Sequence, residues 1–154
     1  MFSIVEGDMF DSKETYLCHQ CNCVTNRAAH LAAAVFDKYP HADIYSGRLL
    51  HDIPGAIVTR GNGKDERFVI NMLGQYYPGS PKYPNSPQDG RAARLTYFWR
   101  CLLEMKELDG DFAFPWTIGC GAAGGDWARY LSGLVWFEQQ IKGDVVVYRL
   151  KNDS

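Results

Sequence analysis

The stretch Ile118-Gly119-Cys120-Gly121-Ala122-Ala123-Gly124-Gly125-Asp126-Trp127 constrains this chain more than any other. Four glycines fall in the seven positions 119–125, between an apolar β-prone run at 112–116 and a helical segment from about Asp126 to Ile141. A strand-to-helix connection stripped of β-carbons lets backbone N–H groups approach an anion, and the positive end of the following helix adds to the attraction. The competing interpretation is a glycine-rich turn with no ligand. The stretch is neither a P-loop nor a dinucleotide-binding fingerprint, because the Lys-Ser/Thr pair and the acidic ribose partner are missing.

The surrounding pattern sets the fold class. Further β-prone runs occur at 2–6, 15–23, 56–60, 67–73 and 144–150, and Gly61-Asn62-Gly63-Lys64 supplies the positive φ of a hairpin between the third and fourth. Helical spacing puts Ala28, Leu31, Ala32, Val35 and Phe36 on one buried face of a helix that Thr25 or Asn26 caps and Pro40 closes. A weakly periodic polar helix is expected around 41–50. The segment 90–108 is the clearest helix, with Leu95, Phe98, Leu102 and Met105 inward and Arg91, Arg94, Lys106 and Glu107 more exposed. Strands alternating with helices predict an α/β fold on a mixed or parallel sheet, with ligands beyond the carboxyl ends of the strands. Pro78, Pro81, Pro84 and Pro87 recur every third residue, so a polyproline II edge is expected there. It serves either as a functional flap, with Lys82 and Tyr83 closing over a ligand, or as a stiff wrap over the surface.

Composition narrows the partners. With 154 residues, 16 Lys+Arg, 18 Asp+Glu and a net charge of −2, the chain has the size of one domain spanning 1–154 and no field to attract nucleic acid. Aromatic residues at 14% exclude disorder. No apolar run approaches the roughly 18 residues of a membrane span, and MFSIVEGDMF lacks the features of a signal peptide. A monomer with no membrane partner, in a cytoplasmic or nuclear setting, is therefore expected.

Three side-chain groups offer chemistry. Cys18, Cys21, Cys23, Cys101 and Cys120 lie mostly in apolar runs, as reduced buried thiols do. Cys21 and Cys23 share a strand face while Cys18 takes the other, and no second CxxC pair closes a tetrahedral site, so no metal is predicted. Asn22, at a strand end, can both donate to and accept from a ribose, or be a buried structural amide. His30, in the first turns of a helix beginning near Asn26, is disfavoured as imidazolium by the helix dipole and can accept a proton, or it merely covers the helix surface. Asp126 is either the cap of the last helix or an acid/base group.

In order along the chain, Glu6-Gly7-Asp8 after the first strand, HQCNC ending in Asn22, Asn71-Met72-Leu73-Gly74-Gln75, FPWTIGCGAAGGDW and VVVYRL resemble a macro domain. The likeness runs from about Ser3 to Leu150. Within that family it is most similar to the branch of terminal ADP-ribose glycohydrolases, DNA ADP-ribose glycohydrolase antitoxins and fungal ADP-ribose-1''-phosphate phosphatases. The resemblance implies a three-layer α/β/α fold with a mixed central sheet that binds ADP-ribose in a cleft without a cofactor. It implies that Asp8 accepts from the adenine amino group, with Met9 lining that end and Tyr148 and Leu150 toward the adenosine. Asn22 would contact the distal ribose, and residues 26–31, including Ala29, His30 and Leu31, would border that ribose and the diphosphate. Gly119, Cys120, Gly121, Ala122, Ala123, Gly124 and Gly125 would wrap the diphosphate.

Two departures stand out. Ala28-Ala29-His30 replaces a run of glycines in the first loop, and Gly74 and Ala123 stand where the glycohydrolases of that branch use a lysine and an aspartate. The implied chemistry narrows to a water held between the ligand phosphate, Asn22 and His30, with His30 as base and Asp126 as a second candidate acid/base group. The resulting expectation is a hydrolase that removes a 1''-phosphate, an acyl group or a terminal ADP-ribose. Its partner is ADP-ribose or an ADP-ribosylated macromolecule, nucleic acid entering only as such a substrate. The alternatives are a non-catalytic reader or sink of ADP-ribose or another NAD-derived nucleotide and, from another class, a thiol or metal protein built on the cysteine strand.

Overall fold

The computed structural model describes residues 1–152. Its strands are β1 (Phe2–Glu6), β2 (Tyr16–Cys21), β3 (Ile57–Arg60), β4 (Phe68–Leu73), β5 (Phe112–Pro115) and β6 (Val145–Arg149), and its helices are α1 (His30–Lys38), α2 (Arg91–Met105) and α3 (Trp127–Gln140). One six-stranded sheet runs in the order β1-β6-β5-β2-β4-β3. Every pairing is parallel except that of β3 with β4, which the glycine hairpin makes antiparallel.

Alternation along the strands builds three layers. Tyr16, Cys18, Ile70, Met72, Phe112 and Phe114 face one way and pack with Phe98 and Leu102 of α2 and Leu134 and Phe137 of α3. Leu17, Cys21, Val69, Leu73 and Ala113 face the other way, against Ala32, Val35 and Phe36 of α1. The α/β class, the mixed sheet and the opposed faces of Cys18 and Cys21 match the sequence pattern. Burial pushes the thiols of Cys18, Cys21 and Cys101 up, and that of Cys23 to about 12, so they are packed as neutral groups.

Five expectations are corrected. Helix α1 begins at His30, not near Asn26, because Ala29 is its N-cap and Thr25 is spent on a turn closed by Asn22. With its start shifted, Leu31 is exposed instead of buried. No helix spans 41–50; a 3-10 turn at Pro40–Ala42 is followed by a turn that Asp43 closes by accepting from the N–H groups of Tyr45 and Ser46. The proline segment is not a straight edge: Ser86 N–H donates to Tyr83, Gly90 N–H to Ser86 and Arg91 N–H to Pro84, and Pro81 is buried while Pro84 and Pro87 are exposed. Arg94, expected outside, is 2% exposed.

His19 shows what the inner layer costs in acid. It is buried beneath Phe36, its Nε2 lies 2.5 Å from Asn71 Oδ1, and burial lowers its pKa from 6.5 to about 4. The unfolded chain therefore binds the proton more tightly than the folded one. The stability linked to His19 is complete above about pH 6.5, and about 3 kcal/mol of it is lost as pH falls to about 4. Urea unfolding of wild type and His19→Gln at both pH values checks this: the difference between them moves by that amount against the wild type in acid.

Candidate functional site

The parallel strands end on one edge of the sheet, and the connections leaving that edge build the site. Between the β2–α1 connection and the β5–α3 connection lies a cavity of about 350 Å³, closed on a third side by residues 75–79 after β4. Its walls include Asn22, Ala29, His30, Leu31 and Gly119 to Ala123.

The β5–α3 connection is a chain of tight turns. Cys120 N–H donates to Thr117 O (2.9 Å), Gly124 N–H to Gly121 O (3.1 Å) and Gly125 N–H to Gly119 O (3.0 Å). This leaves the N–H groups of Gly119, Gly121, Ala122 and Ala123 without a partner among the described residues. Glycine is required at 119, where φ is +76° and a Cβ would lie 2.4 Å from the Tyr130 ring. At Gly121 a Cβ would meet no protein atom within 4 Å. Burial lifts the Cys120 thiol to about 12, so it is no nucleophile at neutral pH.

Across the cavity, Asn22 shapes the opposing loop. Its Oδ1 accepts from Val24 N–H and Thr25 N–H, both at 3.0 Å, and from Thr25 Oγ1, while its own N–H donates to Tyr45 Oη at 2.7 Å. Only its Nδ2 is left for a ligand. The loop delivers the chain to α1 with no side-chain cap, so the N–H groups of His30, Leu31 and Ala32 are also unpartnered among the described residues. His30 has φ +53° and Thr117 on the opposite wall +57°, the two non-glycine residues with positive φ among those described. Such conformations are uncommon for a histidine and an outlier for a β-branched threonine, and they gather where a fold holds a ligand.

The floor departs from what a lysine mechanism needs. A Cβ on Gly74 would come 2.5 Å from Gln20 Oε1, so a side chain there requires the Gln20 amide to move. Instead Gln20 Nε2 donates to Gln75 Oε1 at 2.7 Å, and Gln75 Nε2 donates to Tyr77 O at 2.9 Å. No carboxylate or lysine lines the cavity, and His30 is its one imidazole.

The remaining expected site residues lie off this cavity. Asp8 accepts from Phe10 N–H, Met9 is buried in the α1-side core, and Tyr148 packs on the same core and donates its hydroxyl to Glu14. These three gather at the ends of β1 and β6, farther along the same edge. Gly124 and Gly125 turn away toward α3. Asp126 caps α3 through Ala128 N–H and pairs with Arg129, exposed and outside the cavity walls. Among the described residues no three His, Cys, Asp or Glu side chains are grouped to hold a metal.

Solved structures with this architecture share nearly the whole chain. The macrodomain of Mycobacterium tuberculosis DarG superposes with a TM-score of 0.75 at 21% identity, over 96% of this chain and 97% of that one. The macrodomain of Thermus aquaticus DarG gives 0.71 at 16% identity, over 97% and 98%. The chain has the macrodomain fold. Thermosipho africanus DarTG, solved in complex with ADP-ribose, gives 0.70 at 17% identity, over 98% of this chain and 42% of that one. No family model and no curated protein matches the sequence.

On this macrodomain fold, the sequence missed the residue that joins the loops. Arg94 pairs with Asp89 through Nε (3.1 Å) and Nη2 (2.7 Å) and donates to the carbonyls of Tyr77, Gly79 and Ala123. One buried guanidinium thus ties the 77–89 segment to the glycine loop. The only available signal was its place one residue before Leu95, beside the apolar stripe of the helix. Gln20, Gln75, Trp116 and Thr117 were missed as well, since nothing in their spacing marks them as cleft walls.

Proposed function

We propose that this chain binds ADP-ribose along the carboxyl edge of its sheet, with the diphosphate in the cavity between the two loops. The observation that carries the reading is the pair of unpartnered N–H sets on residues that line one cavity, Gly119 and Gly121 to Ala123 in one loop and His30 to Ala32 in the other. Backbone donors and a helix N-terminus suit a diphosphate and need no cluster of cations, as the net charge of −2 requires. The cavity lies within the usual 300–1,000 Å³ of ligand pockets by about one group, and the adenosine would extend past it toward Asp8, Met9 and Tyr148.

Hydrolysis at the distal ribose is the reaction this site favours. His30 takes a proton from water, the oxygen bonds to the anomeric carbon, and the bond to the attached group breaks as that group leaves with the electron pair. Asn22 Nδ2 positions the ribose or the water. The absence of a lysine or carboxylate on the walls favours the second reading, a reader that holds ADP-ribose without turnover.

Calorimetry with ADP-ribose at sub-millimolar concentrations tests binding, and silence would refute it. Gly121→Ala tests the loop's role, because Gly121 lines the cavity and the added methyl meets no protein atom within 4 Å. The N–H stays in place, but a methyl that keeps a phosphate oxygen from closing on the loop should weaken affinity about tenfold or more, with the thermal midpoint unchanged.

A further inference from the structure

A second hollow, of about 660 Å³, lies away from the cleft and shares none of its lining residues. It sits at the amino ends of β2 and β4, where residues 12–15, the turn after α1 and the hairpin before β4 meet. Its walls carry Lys13, Lys38, Lys64 and Arg67, so three of the chain's seven lysines are gathered in one place. Against these four permanent cations stand two carboxylates, Glu14 and Asp65, which leaves a local positive excess in a chain whose net charge is −2. Both carboxylates are already engaged: Glu14 Oε1 accepts from Tyr148 Oη at 2.5 Å, and Asp65 Oδ1 accepts from Asn62 Nδ2 at 2.8 Å. The three lysines have no ion pair among the described residues.

Arg67 is the fixed point of the group. Its Nη2 donates to Ser12 Oγ at 2.9 Å and to Glu14 O at 2.8 Å, while its own carbonyl accepts from His41 Nε2 at 2.8 Å. The Nε and Nη1 hydrogens of this oriented guanidinium have no partner among the described residues.

We infer that the hollow is a second ligand site, for a compact anion that carries a chain of phosphoryl groups. The inference goes beyond the ADP-ribose reading and does not depend on it. The chemistry follows from the cations. A guanidinium held by its neighbours with N–H groups to spare pairs with phosphate oxygens at little cost in side-chain entropy, and lysines around it act as point charges. Several such charges around one hollow, whose volume is that of an ordinary ligand pocket, call for several phosphates. Compactness follows from what flanks the walls. Asp11, Asp37 and Glu66, the sequence neighbours of Ser12, Lys38 and Arg67, are exposed and off the lining. A nucleic acid running past the hollow would meet these carboxylates, whereas an anion confined to it meets the local excess of cations. The aromatic walls also offer bases no free platform for stacking, since Tyr39 lies against Phe10 and His41, and Phe68 against Tyr16.

Titration of the ¹⁵N-labelled protein with sodium tripolyphosphate locates the site. Amide resonances in 12–15, 38–41 and 63–68 should shift, and calorimetry should give an affinity that the double variant Lys38→Gln, Lys64→Gln lowers about tenfold. Both side chains are exposed, so the variant should keep the wild-type thermal midpoint and the wild-type response to ADP-ribose. ATP distinguishes the sources of the phosphate chain: binding no tighter than tripolyphosphate marks the chain alone, binding about tenfold tighter marks a nucleotide, and either supports the site. Inorganic phosphate should bind about tenfold more weakly or worse. No shift in the three segments at millimolar tripolyphosphate, shifts confined to 30–32 and 119–123, an affinity that the double variant retains, or inorganic phosphate binding as well as tripolyphosphate would overturn the inference. So would an oligothymidylate of about ten nucleotides that shifts the three segments at lower concentration than tripolyphosphate, which would make this face a nucleic-acid track.

Discussion

Arg94→Ala is expected to remove about 3–5 kcal/mol of folding stability, the range for breaking one partner of a buried ion pair. The loss is large because the guanidinium satisfies five acceptors at once: both oxygens of Asp89 and the carbonyls of Tyr77, Gly79 and Ala123. Without it, Asp89 keeps only the N–H groups of Tyr76 and Tyr77, at 2.7 and 3.1 Å, and remains a charged carboxylate out of water. The consequence reaches the ligand, because Ala123 O is held by Arg94 while the Ala123 N–H faces the proposed diphosphate. ADP-ribose affinity should therefore fall together with stability. Urea unfolding and calorimetry on the same variant check both. A loss under about 1 kcal/mol, the scale of a surface pair, would show that the loops are held by something else.

Arg94 also marks the limit of what the sequence discloses. Strands and their faces were legible because burial follows a period of two, so Cys18 and Cys21 could be assigned to opposite layers from spacing alone. The glycine loop was legible because four glycines in seven positions have few other uses. Arg94 was not, because its partners lie in segments with no periodicity and a buried arginine looks like any polar helix residue. The start of α1 was misplaced for a related reason. Thr25 and Asn26 have the chemistry of caps, but Asn22 captures Thr25 in a turn, and the helix starts from an uncapped Ala29. The exposed leucines of the 46–53 loop carried no warning either, since an apolar pair between polar residues looks like core until Arg48 and Asp52 turn it outward.

His30→Ala is expected to abolish turnover of an ADP-ribosylated substrate, by about 10²–10⁴-fold, the usual share of a positioned general base. No other group on the cavity walls can replace it: they carry no carboxylate or lysine, and burial pushes Cys120 to about 12. Binding should survive, because the ligand contacts assigned to residue 30 are made by its backbone N–H. Folding should survive as well, since His30 is exposed and alanine costs little more than histidine at φ +53°, and His30→Gly should even gain stability by relieving the left-handed conformation. Turnover and calorimetry run in parallel separate the readings. Equal turnover by wild type and His30→Ala would remove His30 from the chemistry. Binding by both with no turnover of ADP-ribosylated protein, modified DNA or ADP-ribose-1''-phosphate would leave a reader.

The central claim is that two sets of unpartnered backbone donors close on one diphosphate. It is tested most directly by following the amide resonances of the ¹⁵N-labelled protein during titration with ADP-ribose. The account predicts that Gly119, Gly121, Ala122 and Ala123 shift together with His30, Leu31 and Ala32, at one ligand concentration and with one affinity. Shifts confined to one loop, or none in either while the rest of the spectrum responds, would contradict it.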